Sequence, residues 1–260
     1  MKNSTDKFKI QRFLKVISTD VLSNAQNILL AAGSLSALLI FILLYFASIE
    51  RANQYLAGIY GGIFLIAGLT AAGMLFGELS NRSRSFFYVL IPAAPIEKFL
   101  SKLIIVMVLF PVMAVSLFFV IGEVSRLFSI ILFEYELWAF NPISSDFLKG
   151  VKLYYIVSPV FVFGSVYFNG QSLLKTIVST GLTLMLLYLL FAIEWKLLFW
   201  DYSNFLSIKL SREYMFSVAS TKSMYPVISL TSKTYTIFSQ YIFAPFMIVL
   251  SYIALREREI

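Results

Sequence analysis

Long uncharged runs separated by short charged segments organise this chain. Six runs lie at about 28–48, 56–77, 103–122, 153–168, 176–193 and 238–255, and none contains Asp, Glu, Lys or Arg. A helix needs about 20 apolar residues to cross a bilayer core roughly 30 Å thick, so the pattern predicts six transmembrane helices. The fourth run is short and must borrow neighbouring residues. After Leu103 the chain stays apolar to Phe133 apart from Glu123 and Arg126, so the third span is expected to be long and tilted or to continue as an interfacial helix.

Ahead of the first run, Ile10, Phe13, Leu14, Ile17 and Val21 recur at helical spacing beside Lys2, Lys7, Lys9, Arg12 and Lys15. Residues 1–27 therefore read as an amphipathic helix with a basic face, suited to the headgroup region, or else as a polar tail before the first span. The run that follows is too long for the apolar region of a secretory signal, which spans about 7–15 residues.

Composition agrees with the pattern and narrows it. The 260 residues are 59% hydrophobic and 13% charged, with mean hydropathy +0.83. Soluble domains carry about 25% charged residues, so roughly half the charge needed to coat a globular surface is missing. The fold class is thus an all-α polytopic membrane protein, one transmembrane domain over 1–260.

Charge gives the expected orientation. With the N-terminus inside, the inner segments hold most of the 21 Lys and Arg, including Arg82, Arg84, Lys98, Lys102, Lys175, Arg256 and Arg258, while the outer ones are close to neutral. Lys and Arg accumulate on the cytoplasmic side of membrane proteins, so both termini are expected in the cytoplasm and the net charge of +7 needs no nucleic acid partner. The expected location is the inner (cytoplasmic) membrane.

The second run contains Gly58, Gly61, Gly62, Gly68, Gly73 and Gly77 among the chain's 12 glycines. The pairs Gly58/Gly62 and Gly73/Gly77 are each four apart, so each forms a notch that admits another helix, from this chain or from a second copy. Pro111 and Pro159 fall inside the third and fourth runs and are expected to kink them.

The missing chemistry is informative. No cysteine or histidine is present, which removes disulfides, thiolate metal sites and imidazole bases. There is no G-x-S-x-G elbow and no G-x-x-x-x-G-K-[ST] phosphate loop, so neither acyl transfer nor ATP hydrolysis has a carrier in this chain. Uncharged spans leave no proton relay or ion-coupled carboxylate site. No catalytic residue, metal site or cofactor is expected. Glu134, Glu136 and Asp146 share one outer segment, but they lack a base or metal-ligand spacing and read as solvated loop charges.

Between the second and third runs, residues 78–102 form a basic, aromatic, proline-punctuated segment containing Arg82, Arg84, Pro92, Pro95, Glu97 and Lys98. Pro95 is placed to open a helix, because its missing N–H is harmless at a first helical position. The segment reads either as a dock for a cytoplasmic partner or as a short interfacial linker.

Here the sequence also carries a resemblance. Ile91-Pro92-Ala93-Ala94-Pro95-Ile96-Glu97-Lys98-Phe99-Leu100 resembles the "LPAS…EKF" stretch of permease subunits in the type-2 class of ATP-binding-cassette (ABC) transporters, especially a Bacteroidota group. Gly164-Ser165-Val166-Tyr167-Phe168 with Lys175-Thr176 is similar to that group's "GSLYF…KT" junction, and Leu255-Arg256-Glu257-Arg258-Glu259-Ile260 to its "LKEKE" tail. Ala94 and Pro95 depart from the pattern, which favours serine or another polar residue. The resemblance implies a dimeric permease, homodimer or heterodimer, driven by a separate ATPase subunit that binds ATP and docks on the coupling segment. It also implies a re-entrant or interfacial element between the fifth and sixth spans. The matching region, 194–237, includes Trp195, Trp200, Tyr202, Tyr214, Tyr225 and Tyr235, and aromatics of this density suit a membrane–water interface.

Two functions follow as expectations. The first is a permease that exports an amphipathic substrate using energy from its partner. The second is a non-transporting scaffold or sensor whose outer aromatic segment binds a protein or lipid.

Overall fold

A computed structural model describes residues 9–49, 52–80, 93–198 and 242–259. All regular structure among them is helical. In chain order the helices are α1 (Ile10–Ser23), α2 (Ala25–Ser48), α3 (Ala52–Met74), α4 (Pro95–Ile104), α5 (Phe110–Phe133), α6 (Ser145–Tyr167), α7 (Ser172–Leu198) and α8 (Ala244–Glu259). A 3-10 turn at Gly77–Ser80 follows α3, and a π turn at Ile105–Leu109 joins α4 to α5.

Among the described residues, five helices are long and apolar enough to cross a membrane: α2, α3, the continuous rod from Pro95 to Phe133, α6 and α7. The described part of α8 has 16 residues, and the beginning of the predicted sixth span lies outside the described residues. The third span outgrows its predicted limits at both ends. The rod of 39 residues is ~60 Å long at about 1.5 Å per residue, nearly twice the bilayer core. A rod of that length overhangs a bilayer, and α4, which carries Glu97, Lys98 and Lys102, is an end whose charges suit the water side. The fourth span begins at Ser145 instead of 153, because the charges of Asp146, Lys149 and Lys152 occupy only its first two turns, where long side chains reach water.

The α3–α6 pair forms the centre of the bundle. These helices run parallel, with Gly61 beside Gly150, Gly68 beside Tyr154 and Gly73 beside Phe161. A Cβ on Gly150 would lie 2.8 Å from the Gly61 carbonyl oxygen, so backbone meets backbone there. Around this seam Tyr60, Phe64, Phe110, Phe118, Phe140, Phe147 and Tyr154 interlock, with ring centroids 4.6 Å apart for Tyr60–Phe140 and 5.3 Å for Phe64–Tyr154. Tilted and edge-to-face pairs of this kind add to the packing of their area. Leu39, Leu43 and Ala47 bring α2 into the same core.

Pro111 distorts the rod as its chemistry requires. It has no N–H to give, which orphans carbonyls one turn earlier, and the π turn lies just before it. The hydroxyl of Tyr154 donates to the Val106 carbonyl at 2.7 Å and that of Tyr155 to the Met107 carbonyl at 2.9 Å. Two adjacent α6 tyrosines thus donate to carbonyls of the π turn that precedes the proline.

Candidate functional site: the polar end of the bundle

Both described chain ends lie at one end of the bundle, where α1, the end of α3, α4, the α6–α7 turn and the end of α8 gather. The α6–α7 turn passes through left-handed residues Gly170 and Gln171, and Ser172 Oγ then donates to the Gly73 carbonyl at 2.8 Å, tying α7 to α3. Gly164 and Thr176, from the two halves of the family-like junction, are in contact. Arg258 and Lys175 donate to the carbonyls of Tyr167 and Asn169, at 2.5 and 2.6 Å, as cations at a helix C-terminus do.

The helix α4 starts at Pro95, with Ala94 as its N-cap. Glu97, in its first turn, is fully buried, and its carboxylate receives four donors. The Ala94 N–H donates at 3.1 Å, the Lys9 N–H at 2.8 Å, and Arg12 donates through Nε at 2.6 Å and through a terminal nitrogen at 2.8 Å. The first bond is the returning half of a capping box, and the bidentate Arg12 fork is the strongest form of carboxylate contact. Burial pushes the Glu97 carboxyl up, but the bonds from Arg12, Lys9 and Ala94 and the Arg12 charge outweigh it and hold the group below its ordinary value.

One turn further on, Lys102 lies 3.3 Å from Glu78 and 3.8 Å from Asp20. This joins α1, the 3-10 turn after α3, and α4 around one ammonium. Burial raises the Asp20 carboxyl above its ordinary value despite Lys102, with Glu78 adding to the rise. Among the described residues, Asp20 Oδ2 has no hydrogen-bond partner beside the longer ion pair with Lys102. The basic face of α1 is therefore not simply presented to lipid headgroups, because Arg12 is bonded within the chain while Ile10 and Leu14 stay exposed.

The other predicted residues divide clearly. Glu97 and Lys98 are buried in the chain and Pro95 opens α4. Arg82, Arg84 and Pro92 lie outside the described residues, as does 199–237 of the outer aromatic segment. Of the glycines, Gly73 packs against Leu173 and Phe161, whereas Gly58, Gly62 and Gly77 have no atom of the described residues within 4 Å of an added Cβ. The close approach falls to Gly61, one position from the predicted pair. Because successive helical residues are about 100° apart, that single step moves the contact to another face.

Sequence reasoning missed Arg12–Glu97, whose partners are 85 residues apart with no local signal. It also missed the tyrosine repair of Pro111, which did have a signal: a proline inside a span always leaves a carbonyl in need of a donor. Comparison of the chain with known protein families, with curated proteins and with solved structures finds no match.

Proposed function

We propose that this chain is the permease subunit of an ABC-type exporter, a six-span conduit for an amphipathic substrate that works as a dimer and is driven by a separate ATPase. The ATPase seats on the cytoplasmic segment 78–102, both termini lie on that side of the inner membrane, and ATP enters only through the partner.

One observation carries this reading. The helix α4 is held by buried charge contacts to α1 through Glu97 and to the end of α3 through Lys102, so a push on the segment carrying Arg82 and Arg84 would reach three helices together. The family-like motifs add the nature of the pusher. The uncharged spans fit a conduit whose energy comes from elsewhere.

The test is purification from native membranes followed by ATPase assay of whatever protein accompanies the chain. An ATPase should co-purify, and Arg84→Ala should weaken its retention. Glu97→Gln should keep the ATPase bound while uncoupling its hydrolysis from transport. Recovery of no ATPase, together with no effect of either substitution, would refute the proposal and favour the scaffold.

A further inference from the structure

Two adjoining cavities lie at the opposite end of the bundle. The larger, of about 710 Å³, is walled by the start of α3, the loop between α5 and α6, and the start of α6. The smaller, of about 600 Å³, is a groove between the end of α2 and α3. Gln54 and Asp146 line both, so the two spaces meet at those residues.

Their chemistry differs. Among the described residues, Asp146 is the only charged residue lining the chamber. Tyr60, Tyr135 and Trp138 contribute aromatic surface, and Ser144 Oγ is buried there without a hydrogen-bond partner. Apart from the shared Gln54 and Asp146, the groove is lined by Phe46, Ile49, Tyr55, Gly58 and Ile59, and none of the described residues stands within 4 Å of where a Gly58 side chain would begin.

We infer that chamber and groove form one binding site for a cationic amphiphile, with its ammonium head in the chamber and its alkyl tail lying over Gly58. A carboxylate with aromatic walls attracts a cation by charge and by cation–π contact. Asp146 is free to exchange partners, since its 2.7 Å pair with Lys149 is exposed on both sides and such pairs are weak. The walls are already fixed. Asn53 donates to the Glu136 carbonyl at 3.0 Å and accepts from the Trp138 N–H at 2.9 Å, which ties the loop to α3 before any ligand arrives.

The inference concerns binding alone and needs no ATPase, so it can fail while the transport proposal holds, and the reverse. The chain has 3 tryptophans, and Trp195→Phe with Trp200→Phe leaves Trp138 as a fluorescent reporter at the chamber. The probes, added to the full chain in dodecylmaltoside micelles, are one dodecyl tail brominated next to the head and attached to trimethylammonium, sulfate or maltose. The ammonium probe should quench Trp138 saturably, with half-saturation about tenfold lower than the other two, equivalent to about 1.4 kcal/mol. Asp146→Asn should remove that preference. Gly58→Leu, at an open position that tolerates a side chain, should weaken the ammonium probe several-fold, while Gly58→Ala changes it little. Equal or unsaturable quenching by the three heads overturns the inference, as does indifference to both Asp146→Asn and Gly58→Leu.

Discussion

Two sets of glycines on α3 make opposite use of the same residue type. Gly61, Gly68 and Gly73 are in contact with Gly150, Tyr154, Phe161 and Leu173, and at Gly61 the backbone of α3 meets that of α6. Gly58 and Gly62 meet no atom of the described residues. Spacing by four belongs to the open pair, whereas the packed glycines are seven and five residues apart. What separates them is whether the partner offers a small residue or a flat ring at the matching height, and α6 does so only along one line.

The largest effect should come from closing the packed face. Gly150→Ala drives a methyl group against the Gly61 backbone, which has no side chain to move aside, and should cost about 2–3 kcal/mol. Thermal melts of the detergent-solubilised chain, followed by size-exclusion chromatography, would register it. Next comes Tyr154→Phe, which keeps the ring beside Gly68 but strips the Val106 carbonyl of its donor, at a cost of about 1–3 kcal/mol. Tyr155→Phe should cost less, because Tyr155 is exposed.

Acid provides a comparison with the polar end. The lowered Glu97 carboxyl contributes stability that is complete above the ordinary glutamate range and is lost as pH falls through its depressed value. Asp20, raised by burial, works the other way: its ionised form opposes folding, and protonation relieves it first. Mild acid should therefore leave α1 in place, and only pH below the ordinary carboxylate range should release it, seen as faster amide exchange confined to 10–23. Arg12→Ala should shift that release to higher pH.

The smallest effects belong to the open face. Gly58→Ala and Gly62→Ala should be neutral or stabilise α3 by up to about 1 kcal/mol through helix propensity. A loss comparable to that of Gly150→Ala would mean that another protein surface covers this face in the membrane.

Much of the fold was legible because bilayer thickness imposes a length on apolar runs. The runs at 28–48, 56–77 and 176–193 each sit largely within one helix of the structure. The limits of the third and fourth spans were obscured, because Glu123, Arg126, Asp146, Lys149 and Lys152 interrupt hydropathy without interrupting hydrogen bonding. Of the candidate site, the start of α4 could be read from Pro95 and Glu97, which are local signals. The partner of Glu97 could not. An ion pair between residues 12 and 97 depends on where α1 folds back, and no composition or period encodes that.

The π turn at Ile105–Leu109 has a consequence for how this protein can change through descent. Each residue inserted in or removed from a helix turns everything beyond it by about 100°. The turn thus acts as the phase setting between two halves of one rod, aligning the charged face of α4 with α1 while keeping Phe110 and Phe118 aimed at α3. Deleting one residue there would turn α4 by about 100° relative to the rest of the rod and swing Glu97 and Lys102 off their partners, although every residue that makes the contacts would still be present.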